Sequence, residues 1–228
     1  MENKIINVGV VATIAKALQD VKQSVVFVGG AIVSLYTDDP AADEVRPTQD
    51  VDFTINLLNF SNWAQFQEDL LKLGFSPDPL GPSICRYMYK QIPVDIIPAE
   101  DSPIGLANKW YKIGFKRLQM VTVKDQAIQI FTAPCFLATK FEAFADRGID
   151  YVTSHDIEDV IYVIDNRINI VQEIRQDDPE IKEYLQQELS KIIEQGLLDE
   201  LLIYHVHPIM RDERIPIIEE KITDILKL

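Results

Sequence analysis

Cysteine is nearly absent. Only Cys85 and Cys135 occur in 228 residues, too few for a disulfide framework or a Cys-based zinc site, and neither has a companion that would mark a nucleophile. Histidine is almost as scarce, with three in the chain. His205 and His207 form an H-x-H, but residues two apart on a helix diverge and no third ligand is near in sequence, which argues against zinc. No apolar run approaches the ~20 residues of a membrane span. The opening Met-Glu-Asn-Lys lacks the layout of a secretory signal, so the expected location is cytoplasmic and away from the membrane. A Walker loop, a G-x-G-x-x-G and a nucleophile elbow are all missing, which disfavours P-loop, Rossmann and serine-hydrolase readings. Positive charge is sparse: 22 basic residues face 36 acidic ones, a net charge of −14 whose field repels nucleic acid.

What remains is ordinary for a soluble globular chain, with 47% hydrophobic and 25% charged residues. One stretch opposes the acidic trend. From Ser102 to Lys124 there is no acidic residue, and Lys109, Lys112, Lys116, Arg117 and Lys124 alternate with Trp110, Tyr111 and Phe115. Two readings fit: a surface that takes phosphates and stacks bases, or a solvated charged face over buried aromatics.

Hydrophobic period divides the chain. Helical spacing marks residues 8–21, a brief helix at Ala31–Tyr36, and a helix capped by Ser61 that Gly74 stops. Strand-like runs cover Ser24–Val28, Val51–Leu57, Ile84–Lys90, Ile92–Ile97, Leu118–Val123 and Ala127–Phe131, with a turn at Ser76–Pro82. Beyond residue 131 the pattern is helical throughout. Helices are expected from Pro134 to Arg147, from His155 (capped by Ser154) to Asp165, and near 178–193, 197–205 and 216–226. The expected organisation is an α/β domain over residues 1–131 and a helical domain over 132–228.

Three carboxylates carry the chemistry. Asp50 and Asp52 are two apart on a strand, so they point to one side and can grip one metal ion together. Asp95 lies among branched apolar residues in Pro93-Val94-Asp95-Ile96, where a lone carboxylate is costly unless a cation or donors meet it. The bland alternative is a strand-end Asp facing water. A third carboxylate from a neighbouring strand would let the site hold two Mg²⁺ ions, the arrangement used in phosphoryl transfer. Val28-Gly29-Gly30 precedes them at a strand end that begins a helix, where backbone N–H groups and the helix dipole favour a phosphate.

The helices add charges at unusual places. Lys140 and Arg147 fall within or beside the apolar stripe of Phe136, Leu137, Phe141 and Phe144, so Lys140 either snorkels out or meets an anion. On the next helix Asp156 lies on the apolar side with Ile157, Val160, Ile161 and Ile164, while Asp159 is nearer the edge. A first-turn acid favoured by the helix dipole is the plain reading of Asp156.

Together these segments resemble the DNA polymerase β-type nucleotidyltransferase superfamily: Val28-Gly29-Gly30, Arg46-Pro47-Thr48-Gln49-Asp50-Val51-Asp52-Phe53 and Pro93-Val94-Asp95-Ile96. Thr139-Lys140-Phe141-Glu142-Ala143 with Arg147, then His155-Asp156-Ile157-Glu158-Asp159-Val160, are similar to the later motifs of its AbiEii-like toxin branch. The resemblance covers residues 28–160. It implies an α+β fold, a mixed sheet flanked by helices followed by a helical region that completes the active site. It implies Mg²⁺ or Mn²⁺ at Asp50, Asp52 and Asp95, an NTP held by Gly29, Gly30, Arg46, Thr48 and Lys140, and Asp156 as a further site residue. The implied reaction transfers an NMP to an acceptor: an RNA end such as tRNA, a protein hydroxyl or a small molecule. A toxin-type enzyme would be neutralised by an antitoxin protein. A cationic small molecule suits the negative field best. The alternative is a non-catalytic module of the same fold that acts by binding a protein partner. One departure stands out: nineteen residues separate Gly30 from Asp50, more than the superfamily's usual interval, and the excess fits the acidic loop Asp38–Val45.

Overall fold

Short β-branched and aromatic runs pair into one seven-stranded mixed sheet in the first of two units, which comprises Met1–Leu35 and Glu44–Thr132. The second comprises Tyr36–Asp43 and Ala133–Leu228. The structure, a computed structural model, describes residues 2–56, 60–81, 85–101, 107–148 and 150–228. Leu57 and Ile84 at the ends of expected strands, the capping side chain of Ser61, and Ser102–Leu106 lie outside the described residues.

The strands of the first unit are β1 Val25–Val28, β2 Val51–Ile55, β3 Phe75–Pro77, β4 Arg86–Tyr89, β5 Ile92–Pro98, β6 Leu118–Val123 and β7 Gln126–Phe131, in the sheet order β3-β4-β5-β2-β1-β7-β6. β2 runs antiparallel to β1 and parallel to β5, and β4 is antiparallel to β5. Helix α1, Glu2–Leu18, buries Val11, Ile14, Ala15 and Leu18, the 3.6-residue spacing of one face. It ends three residues earlier than periodicity suggests, because Gln19 turns to φ 48° and the chain tightens into a 3₁₀ segment through Ser24. Helix α2, Phe60–Lys72, is followed by Gly74 at φ 89°.

The basic stretch resolves toward the plainer reading. Helix α3, Tyr111–Gly114, is a single turn whose Tyr111 is buried beside Trp110. The Tyr111 and Phe115 rings lie 5.5 Å and 5.7 Å from Phe131, so the aromatics pack inward rather than offering faces to bases.

The second unit is helical: α4 Ala133–Arg147, α5 His155–Asn166, α6 Ile170–Gln176, α7 Pro179–Glu194, α8 Leu198–His205 and α9 Arg211–Leu226. α4 is buried on every side from Ala133 to Phe141, and α5, α6 and α7 pack against it. Ser154 caps α5 by accepting from the N–H groups of Asp156 and Ile157, and Gly148 closes α4 at φ 60°. α9 starts five residues before Pro216, which sits inside the helix. No helix among the described residues is long and apolar enough to cross a membrane.

Segment 36–43, the middle of the long interval between the glycines and Asp50, belongs to this unit. The N–H groups of Asp38 and Asp39 both donate to the Asn166 carbonyl at 3.1 Å, at the end of α5. The Tyr36 ring stacks on Phe136 at 4.2 Å.

Candidate active site

Strand register builds the site. Arg86 on β4 lies opposite Asp95 on β5, Asp95 opposite Asp52 on β2, and Asp52 opposite Val28 on β1. Residues in register on adjacent strands project from the same face of a sheet, so these side chains form one row. Asp50 lies two residues before Asp52 and joins that face by the period of two. Asp50, Asp52 and Asp95 each present an oxygen within 4.8 Å of the others, all half-buried. Three anions this close repel one another by on the order of a few kcal/mol per pair, so the arrangement needs positive charge.

Arg86 supplies some of it. Its Nε donates to Asp95 Oδ1 at 2.8 Å, and its Nη2 donates to Asp95 Oδ2 at 2.5 Å and to Asp50 Oδ2 at 2.8 Å. The hydrogen bonds to Asp95 raise the guanidinium above its ordinary pKa. Sequence reading missed this residue. Its signal was the two-residue turn Lys90-Gln91, about which a hairpin folds Arg86 onto Asp95. Cys85 beside it is held as a neutral thiol, by burial first and by the charge of Asp95 second.

The glycines make room for the acidic row. Gly29 has φ 77°, and a Cβ built there would overlap the Asp52 carboxylate. A Cβ at Gly30 would meet Arg46 Nη2 at 2.5 Å and Thr48 Cγ2 at 3.0 Å. Thus Gly29 adjoins Asp52, and Gly30 adjoins Arg46 and Thr48. Buried Asn7 of α1 holds the latter segment: its Nδ2 donates to the Arg46 carbonyl at 3.0 Å, and its Oδ1 accepts from the Thr48 N–H at 3.2 Å. No sequence pattern pointed to Asn7. The helix after the glycines is a seven-residue 3₁₀ segment, Gly30–Tyr36, so the dipole expected to attract phosphate is short and Arg46 is the charge beside the turn.

The remaining predicted residues lie in the second unit. Lys140 on α4 is buried, its Nζ 3.2 Å from Asp156 Oδ1 and 2.6 Å from Asp159 Oδ2 on α5. Arg147, largely exposed, also pairs with Asp156. Lys140 therefore meets anions rather than snorkelling. Asp159, expected nearer the helix edge, is 3% exposed, drawn inward by the same ammonium.

All donors at the Asp50–Asp52–Asp95 cluster are hard oxygens, which fit Mg²⁺ or Mn²⁺ better than a thiophilic metal. Neither a protein-family model nor a curated protein matches the chain. Among solved structures, the chain is similar to the crystal structure of an antigenic nucleotidyltransferase-like protein from Paracoccidioides brasiliensis. The match has a TM-score of 0.55 and 18% identity over 83% of this chain and 90% of that one. The chain shares the fold of that nucleotidyltransferase-like protein. In this fold the mixed sheet brings the three aspartates and the glycine turn together on one row of one unit.

Proposed function

We propose that the protein is a metal-dependent nucleotidyltransferase that moves an NMP from an NTP to an acceptor and releases pyrophosphate. The observation that carries this reading is the in-register pair Asp52 and Asp95, with Asp50 on the same face and Gly29 against Asp52. Asp50, Asp52 and Asp95 would hold the divalent ion, Mg²⁺ or Mn²⁺. Bound there, the ion would supply positive charge for the attacking and leaving oxygens. The bare Gly30 adjoins Arg46 and Thr48, where a triphosphate would find a cation and a hydroxyl donor. Lys140, already matched by Asp156 and Asp159, has little charge left to offer a phosphate. Its part, with Asp156, is to fix α4 against α5. The net charge of −14 favours a cationic small molecule or a protein hydroxyl over an RNA end as acceptor. The toxin-type reading, with an antitoxin partner, rests on the motifs of α4 and α5 alone.

A second reading has one observation in its favour. Arg86 already occupies Asp95 and part of Asp50, as in a binding module that has given up metal. One experiment separates the two: incubation with each labelled NTP and Mn²⁺ or Mg²⁺, together with total tRNA, cell protein or aminoglycosides. The enzyme reading expects label on one acceptor class and its loss in Asp52→Asn, with the melting temperature kept. Absence of both label transfer and pyrophosphate from the folded wild type, with every acceptor, would leave the binding module.

A further inference from the structure

Arg86 is built into the acidic cluster rather than resting on it. Its backbone is fixed between strands by register with Asp95, and its carbonyl accepts from the Asp78 N–H at 2.9 Å. The turn that follows lies directly on its stem. A Cβ at Gly81 would come within 2.8 Å of Arg86 Cδ and 3.1 Å of its Cβ, so the turn reaches that close because residue 81 has no side chain. Asp78 shapes the same turn, accepting from the Leu80 N–H at 3.1 Å. With its stem confined, the guanidinium lies against both oxygens of Asp95 and one oxygen of Asp50. These are oxygens a divalent ion would use.

We infer that Arg86 is a resident counter-ion of the metal centre, a positioning residue that competes with a divalent cation for Asp95 and Asp50. The inference rests on the metal-site reading above and deepens it. Arg86 offsets part of the charge of Asp95 and Asp50 before any ion arrives. The nucleotide-free chain therefore holds its carboxylates together without metal and binds a free ion weakly. An ion that takes Asp95 must either share its oxygens with Arg86 or turn the guanidinium away. A guanidinium so turned needs a new anion, which a triphosphate would provide.

The sign of the effect separates this role from a structural one. If Arg86 merely shaped the site, its loss would weaken metal binding, as loss of a supporting residue does. If it competes, its loss strengthens binding. The test is Mn²⁺ titration of the full chain followed by electron paramagnetic resonance and by calorimetry, in wild type, Arg86→Met, Arg86→Lys and Asp52→Asn. Arg86→Met should bind Mn²⁺ about tenfold or more tightly than wild type. Its metal-free melting temperature should fall and recover on Mn²⁺ addition. Arg86→Lys keeps the charge but loses the paired geometry, and should lie between; it also serves if Arg86→Met fails to fold. Equal or weaker Mn²⁺ binding in both variants, with wild type still binding through Asp52, would overturn the counter-ion role and leave the metal site standing. An absence of Mn²⁺ binding in wild type and in both Arg86 variants would remove the metal reading itself.

Discussion

At the residue scale the site depends on what two positions lack. Gly29 combines a left-handed φ of 77° with a direct approach to the Asp52 carboxylate, while Gly148 has φ 60° and nothing within 4 Å of where a Cβ would stand. Gly29→Ala should therefore cost strain plus displacement of a carboxylate, about 2–4 kcal/mol in all, and should weaken Mn²⁺ binding. Gly148→Ala should cost only the backbone strain, about 1 kcal/mol. Urea unfolding of both measures the difference; equal losses would mean that the Asp52 contact contributes nothing. The same contrast explains how far the site was legible. Asp50 and Asp52 could be read because the strand period is local, and the glycines because their order before the acids is distinctive. Arg86 and Asn7 could not, since each is defined by a partner across the sheet or on a helix 39 or more residues from the loop it holds. Only the Lys90-Gln91 turn offered a local route to Arg86.

At the element scale, most helices were readable, including the eight-residue α8 expected at 197–205, while α3 and α6 were not. α4, α5 and α7 fall within a residue of their expected starts, with Ser154 capping α5 and Asp178 capping α7. α3 and α6 have four and seven residues, at most two turns, too little for a period to emerge. α9 starts five residues before the expected 216, and the first-turn acids Asp212 and Glu213 mark that start. Charge placement is where the pattern was most informative: a lysine and an aspartate on facing apolar stripes became the α4–α5 ion network. What the pattern omitted was Asp159, since a helical wheel cannot foresee an ammonium that draws an edge residue inward. Lys140→Met should remove the ammonium that faces Asp159 and Asp156 in the core, at a cost of about 3–5 kcal/mol. Adding Asp159→Asn should restore part of that loss. Chemical denaturation of the single and double variants checks it, and a neutral single variant would show that Lys140 is not the cation holding these helices together.

At the scale of the whole chain, the division between strand and helix periods near residue 131 lies close to the junction of the two units at Thr132 and Ala133. The sequence did not reveal that residues 36–43 belong with the helices, because their composition is that of any acidic loop. Their attachment is made by Arg214, which is nearly buried on α9. It donates to Asp165 Oδ1 at 2.7 Å through Nε and to Asp39 Oδ2 at 2.8 Å through Nη1. Tyr162 adds a hydrogen bond to the Asp43 carbonyl at 2.7 Å. The two aspartates respond oppositely to their places. Asp39 is held below its ordinary value of 3.8, first by the Ala41 N–H and then by Arg214, whereas burial pushes Asp165 up. A lowered folded value means that Asp39 stabilises the fold above the ordinary carboxylate range. That contribution is lost as pH falls through its folded value. Asp165 acts in the other direction, since protonation relieves its burial, so the attachment as a whole responds to acid less than Asp39 alone. Asp39→Asn keeps the side-chain shape and an oxygen for Ala41 but removes the charge facing Arg214. It should cost on the order of 1 kcal/mol at pH 7. Its gap to wild type should narrow as pH falls below about 3.8 toward the lowered folded value, through which wild type loses the same charge. Urea unfolding of both proteins between pH 7 and pH 3 measures that gap. A gap that stays constant across the range would mean that shape, not charge, holds residues 36–43 to the helices.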